Sequence, residues 1–201
     1  MRADPDSDLV LACQDATEEG FDGAFRRLYE RFKDRVYNVA YRITGNPTDA
    51  LDASQETFGI VYRKIGEFRF ESRFSSWVYR IAVNASIDLK RRQSTRRVGS
   101  LDAERDPRHE GGRLDPRDDL VEMPVQAASR HELEREIQRA IDRLSPKLRA
   151  ITVLRYVENL SYEEIAETLA LSIGTVKSRL SRAHEALDRE LAPILEKHYL
   201  G

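Results

Sequence analysis

The feature that most constrains this chain is a break in its apolar pattern. From Ser94 to about Ser129 it carries Gly99, Gly111, Gly112, Pro107, Pro116 and Pro124 among charged residues, with few large apolar side chains. On either side, apolar residues recur at three- and four-residue steps, which marks one buried helix face. A stretch this long without structure of its own is unusual inside a compact domain and reads as a flexible linker. The expected organisation is residues 1–97, a flexible acidic linker over 98–130, and residues 131–201. Each flanking unit is long enough to bury a core. No strand pattern stands out, so the expected fold class is all-α: two small helical domains joined by a flexible linker.

In the first unit Phe25, Leu28, Tyr29, Phe32, Val36, Val39, Ala40 and Ile43 share a helix face. Asp22 is placed to cap its start, and Gly45-Asn46-Pro47 ends it. Thr48 opens a second helix with Leu51, Phe58, Val61, Tyr62 and Ile65 apolar. Ser75 or Ser76 caps a third, from about Trp77 to Arg92, and a short helix is expected near Ser7–Ala16. In the second unit, order returns at His131, with Leu133, Ile137, Ala140, Ile141 and Leu144 on one face. Ser145-Pro146 is a cap followed by proline at the first helical position. Ser161 and Glu164 form a capping box, with Leu160 and Ile165 spaced as a hydrophobic staple. A last helix begins near Ile173, with Val176, Leu180, Ala183 and Leu187 apolar.

Composition excludes several classes. No run approaches the ~20 apolar residues of a membrane span. The start, MRADPDSDLV, lacks a signal-peptide pattern, and a cytoplasmic protein without membrane insertion is expected. Cys13 is the single cysteine, and the four histidines lack ligand spacing. No metal, cofactor, small-molecule substrate or catalytic residue is expected. The net charge is −2, but its distribution is uneven. Lys90, Arg91, Arg92, Arg96 and Arg97 form a basic block, while Asp102 to Glu122 holds eight acids against four arginines. A local basic patch binds phosphate whatever the sum.

Three constellations stand out. Ser161 to Ala183 has the helix-turn-helix layout, with a small Ala166 where the helices cross. Thr175, Lys177, Ser178, Arg179, Ser181 and Arg182 lie off the apolar stripe of its second helix, where hydroxyls and cations suit phosphates and base edges. The alternative is an ordinary solvated face. The second runs from Phe68, Arg69, Phe70, Ser72 and Phe74 to Trp77, Arg80 and Asn84, followed by Lys90 and Arg91. Aromatic rings interleaved with guanidinium groups suit unstacked bases; the alternative places Phe68, Phe74 and Trp77 in the core. The third is Asp49, Asp52, Gln55, Glu56 and Phe58. Its acids favour a helix start, form a protein-contact helix, or perform acid–base chemistry, and no partner residue supports the last.

These stretches resemble the extracytoplasmic-function (ECF) sigma factors of bacterial RNA polymerase. The resemblance rests on Asp52–Phe58, on Phe74–Asn84, and on Leu160–Ala166 with Gly174–Leu180, in that order and with a linker between them. It covers roughly residues 8–97 and 131–195. It implies a sigma-2-like bundle over 1–97 and a sigma-4-like helix-turn-helix domain over 131–201. Asp52, Gln55, Glu56 and Phe58 would then contact core RNA polymerase. The Phe68–Phe74 loop would pocket a flipped −10 base, and Asn84 aligns with the family's base-contacting asparagine. The helix-turn-helix, including Ser161, would read −35 duplex DNA. Capture of an extruded base offsets the few kcal/mol of unstacking, so melting needs no ATP.

The chain departs from the family at four positions. Phe70 and Ala170 stand where glycine is common, Ser181 replaces a bulky residue, and Lys177 replaces an arginine whose bidentate fork lysine lacks. The resemblance also implies an anti-sigma factor, with the two domains clamped together or around it. The competing readings are a stand-alone helix-turn-helix regulator, a carboxylate enzyme and a protein-interaction scaffold.

Overall fold

The computed structural model describes residues 4–99 and 124–199. Within them the chain forms eight α-helices and no strand. They are α1 (Ser7–Gln14), α2 (Glu18–Thr44), α3 (Pro47–Lys64), α4 (Phe74–Gly99), α5 (Pro124–Arg143), α6 (Pro146–Tyr156), α7 (Tyr162–Leu169) and α8 (Ile173–Tyr199). A single 3-10 turn, Ile65–Glu67, follows α3.

Local chemistry sets most boundaries. α2 ends where Gly45 adopts a left-handed conformation (φ 72) and returns its N–H to the Tyr41 carbonyl at 2.7 Å. Glycine has no Cβ to oppose that turn. Asn46 then caps α3: its side-chain oxygen accepts from the N–H groups of Thr48 (2.8 Å) and Asp49 (3.1 Å), and Pro47 takes the first helical position. The cap is thus Asn46 rather than Thr48. α2 begins at Glu18, a turn before Asp22, with Thr17 at the cap position. α4 begins at Phe74, whose N–H donates to the Asp4 carboxylate at 2.7 Å. Ser75 and Ser76 therefore do not cap it, and the Ser76 hydroxyl is buried without a hydrogen-bond partner.

The linker expectation changes at both ends. α4 continues to Gly99 and α5 starts at Pro124. The remainder of the expected linker, residues 100–123, lies outside the described residues.

α2, α3 and α4 pack around Leu28, Phe32, Val36, Val39, Phe58, Val61, Phe74 and Val78. α6, α7 and α8 pack around Ile151, Leu154, Ile165, Val176 and Leu180. These two sets join into one continuous apolar cluster, because α5 and α6 lie on the end of α2 and α7 lies on α4. Arg149 pins one side of that junction. It is 5% exposed and donates to the carbonyls of Ile43 (2.6 Å), Ile141 (3.1 Å) and Leu144 (3.2 Å), and also to that of Asp142. These are carbonyls that the ends of α2 and α5 leave without intrahelical partners.

Candidate nucleic-acid and polymerase interfaces

The helix-turn-helix forms as its sequence dictates. Ser161 accepts from the Glu164 N–H at 3.1 Å, and the Glu164 carboxylate accepts from the Ser161 N–H at 2.8 Å. The flanking staple residues Leu160 and Ile165 are both buried. α7 stops at Ala170, which is left-handed (φ 52, ψ 51). Ser172 then starts α8: its hydroxyl accepts from the Thr175 N–H at 3.1 Å and meets the Thr175 hydroxyl at 2.8 Å. Val176, Leu180 and Ala183 turn inward. Lys177, Ser178, Ser181 and Arg182 turn outward, while Thr175 and Arg179 are half-buried. Lys177 and Arg182 form no ion pair among the described residues, so both cations face solvent. Ser161 differs from the rest of this set, because its side-chain oxygen caps α7. Ile173, at the head of α8, is 42% exposed and adds an apolar group that the sequence reading counted only as a helix start.

The aromatic stretch divides between core and surface. Phe74 is fully buried with its ring edge-on to Phe32 at 5.4 Å, so it is a core residue and offers no face for stacking. Phe68 is 9% exposed and touches Phe70 (5.0 Å), Phe74 (5.4 Å) and Trp77 (5.3 Å). Phe70 and Trp77 are half-buried and lie over this cluster. Phe70 has a left-handed backbone (φ 55), which explains why its position favours glycine. Arg69 and Asn84 are exposed, and Ser72 is half-buried. Arg80 is engaged: it donates to the carbonyls of Thr168 (2.9 Å) and Glu167 (2.7 Å) at the end of α7. Lys90 is half-buried, and Arg91 pairs with Asp88 at 3.2 Å.

The third face lies on α3. Asp52, Gln55 and Glu56 are exposed along one stripe, with Arg92 of α4 3.9 Å from Glu56. Phe58 does not belong to it; it is 7% exposed and packs against Tyr29 at 4.7 Å. Leu51 and Tyr62, which the periodicity placed on the apolar face, are instead 49% and 46% exposed on this stripe. The signal that could have found them is spacing. Leu51 lies four residues before Gln55, and Tyr62 seven after it, so the three project to one side of a 3.6-residue helix.

No group of three or more His, Cys, Asp or Glu residues able to hold a metal exists among the described residues. No helix among them is long and apolar enough to cross a membrane.

A helical bundle and a helix-turn-helix unit, each with its own exposed polar face, define a two-part nucleic-acid-binding architecture. Residues 28–96 match the family model for Sigma-70 region 2, and residues 134–187 that for Sigma-70, region 4. The chain is 37% identical over 177 residues to the ECF RNA polymerase sigma factor SigW of Bacillus subtilis, covering 87% of this chain and 92% of that protein. It is 33% identical over 195 residues to the ECF RNA polymerase sigma-E factor of Escherichia coli K12, covering 95% and 97%. The fold is similar to that of CnrH, solved with the cytosolic domain of CnrY, with TM-score 0.66 at 23% identity, covering 94% and 97%. It is also similar to that of the sigma factor RpoE of Bartonella quintana, with TM-score 0.64 at 21% identity, covering 84% and 96%. The chain belongs to the ECF RNA polymerase sigma factors. Its function is that of the family: it directs RNA polymerase to promoters.

Proposed function

We propose that the chain divides promoter recognition among its three exposed faces. α8 enters the major groove of the −35 element and reads it with Thr175, Lys177, Ser178, Arg179, Ser181 and Arg182. Asn84 and the half-buried rings of Phe70 and Trp77, flanked by Arg69 and Arg80, capture an unstacked −10 base. Lys90 and Arg91 hold the phosphates beyond it. The exposed α3 stripe of Leu51, Asp52, Gln55, Glu56 and Tyr62 docks on core RNA polymerase. Residues 1–97 and 131–201 then act as separate modules.

The observation that carries this reading is the α8 face. Four polar or cationic side chains point outward from a helix whose other side is fully buried, at the N-terminal end that a helix-turn-helix presents to DNA. A solvated face of an ordinary hairpin has no need of an ion-pair-free lysine and arginine beside two serines.

The remaining roles follow. The chain catalyses nothing itself, because binding drives opening: each captured base offsets its unstacking. It works in the cytoplasm with the polymerase. An anti-sigma factor is its regulator, in keeping with the RpoE relative solved with the anti-sigma factor NepR. The stand-alone regulator is disfavoured, because such a protein needs neither the α3 stripe nor the aromatic pocket.

The test is run-off transcription with core polymerase lacking any sigma factor and a promoter library. Sequence-selective initiation on adding the chain, lost from the −35 side with Arg182→Glu and from the −10 side with Asn84→Ala, supports the assignment. Full promoter-dependent transcription from both variants overturns it.

A further inference from the structure

The loop that carries Phe68, Phe70 and Phe74 has little backbone structure of its own. It leaves the 3-10 turn at Phe68, whose N–H donates to the Ile65 carbonyl at 3.1 Å, and it enters α4 at Phe74. Among the described residues, no backbone hydrogen bond joins two positions within 68–73. Phe70, in its middle, holds a left-handed backbone (φ 55), which a residue with a Cβ keeps only where its surroundings impose it. The loop is therefore fixed by groups outside it.

The first residues of the chain hold it at both ends. Gln14, the last residue of α1, donates its side-chain amide to the carbonyls of Ile65 (2.9 Å) and Phe68 (2.8 Å). One NH2 group thus spans the turn that launches the loop and uses both of its donors there. It fixes the Phe68–Arg69 peptide group, and with it the direction in which the chain reaches Phe70. At the loop's exit the Asp4 carboxylate accepts from the Phe74 N–H at 2.7 Å, and its other oxygen accepts from the Asp6 N–H at 3.1 Å. Asp6, 5% exposed, pairs with Arg31 of α2 at 3.2 Å. Val10 and Cys13 bury one side of α1 in the same apolar cluster as Ile65, Phe68 and Phe74. The segment is thus tied to the bundle by contacts of its own and grips the loop from a fixed frame.

We propose that Gln14 and Asp4 are positioning residues for the −10 pocket: they hold the Phe68–Phe74 loop in the conformation that presents Phe70 and Trp77 to an unstacked base, and so set how sharply the chain distinguishes the base it captures. The inference rests on the −10 reading of that loop. Neither residue touches DNA; each acts through the loop backbone. With one end released, binding through the pocket falls with the fraction of chains in which the pocket is formed. Phosphate contacts hold every base alike, so the preference among bases narrows. A staple that only holds the fold together would move the melting temperature and leave that preference as it is.

The test uses holoenzyme assembled from core polymerase and the full-length chain, either wild type or Gln14→Met, which keeps the length of the side chain and removes its donors. Fluorescence anisotropy measures binding to labelled single-stranded oligonucleotides. These carry the −10 sequence recovered from the run-off library, with each of the four bases in turn at the position where Asn84→Ala relaxes selectivity. Wild type should prefer one base. If release leaves the pocket formed about one-fifth of the time, Gln14→Met narrows the ratio of best to worst base by up to about five-fold. Binding to core and to a −35 duplex should stay as in wild type. An unchanged ratio in Gln14→Met, whatever its melting temperature, overturns the proposal. If Gln14→Met lowers helix content, Asp4→Ala decides by the same ratio, since it frees the other end of the loop from a position outside the apolar cluster. The −10 reading fails in a different way: wild type then shows no base preference, or one that Asn84→Ala and Phe70→Ala both leave intact.

Discussion

Ala170 holds a left-handed backbone (φ 52) at the end of α7, where an L-residue's Cβ crowds the following carbonyl. Ala170→Gly should relieve that and stabilise the protein by about 1 kcal/mol, or about 2–4 °C in Tm at this size. Thermal unfolding followed by circular dichroism checks it. Phe70 carries the same strain (φ 55), but its ring lies on the Phe68–Trp77 cluster, so glycine there would lose contacts as it gained freedom. Ser76 presents the opposite case, a buried hydroxyl with no partner. Ser76→Ala removes an unsatisfied polar group without opening a cavity and should be neutral or stabilising by about 1 kcal/mol. A urea midpoint that falls would show that the hydroxyl has a partner in solution. Both glycine-favouring positions were legible in the sequence as departures from a pattern. The orphaned Ser76 was not, because a serine in a helix's first turn reads as a cap until its neighbours are known.

At the scale of single helices, caps made the chain readable. Gly45-Asn46-Pro47 and the Ser161–Glu164 box stop or start a helix where local chemistry requires it, while α6 starts on Pro146 alone, since the Ser145 side chain makes no capping hydrogen bond. The ends of α4 and α5 were not readable in this way. Charged and small residues without an apolar stripe resemble a linker, yet Arg96 and Arg97 in α4 and Gln126, Ala127, Ala128 and Arg130 in α5 are good helix formers and need no buried face to extend a helix already nucleated. Two predictions belong here. Arg182→Glu on α8 should weaken −35 duplex binding by about 1–3 kcal/mol and flatten its salt dependence, measured by titration at several salt concentrations. Glu56→Arg on α3 should weaken binding to core polymerase several-fold with helix content unchanged, measured by competition for core. Leu51 and Tyr62 show why the α3 face was only half legible: apolar residues at helical spacing look like core until the packing shows which side the bundle uses.

For the molecule as a whole, the decisive feature is the contact between its halves. Burial pushes the Glu158 carboxyl above its ordinary value, against the opposing pull of its Tyr79 hydrogen bond and of Arg35. Its anion is therefore disfavoured in the folded chain. The Glu158 contribution to stability should rise as pH falls from neutral through that raised value, and the gain ends near the ordinary carboxylate range, about 4.3, below which the unfolded chain is protonated too. The Tyr79 hydroxyl is also pushed up, by burial first and by the Glu158 charge second. The Tyr79 contribution to stability should hold up to about pH 10, where the tyrosine of the unfolded chain begins to ionise, and be lost above it. Thermal unfolding of wild type across pH, with Glu158→Gln abolishing the acid limb, checks both signs. By itself the sequence determined that the chain is helical, where most helices begin and end, that a helix-turn-helix lies near its C-terminus, and to which family it belongs. These follow from periodicity, caps and motifs, which depend on neighbours within a few positions. Only the tertiary structure decided that Phe58 and Phe74 belong to the core, that Leu51 and Tyr62 do not, and that Arg80 faces α7. Those outcomes depend on partners more than 80 residues away or on which helix face the bundle covers, and no local pattern carries that information.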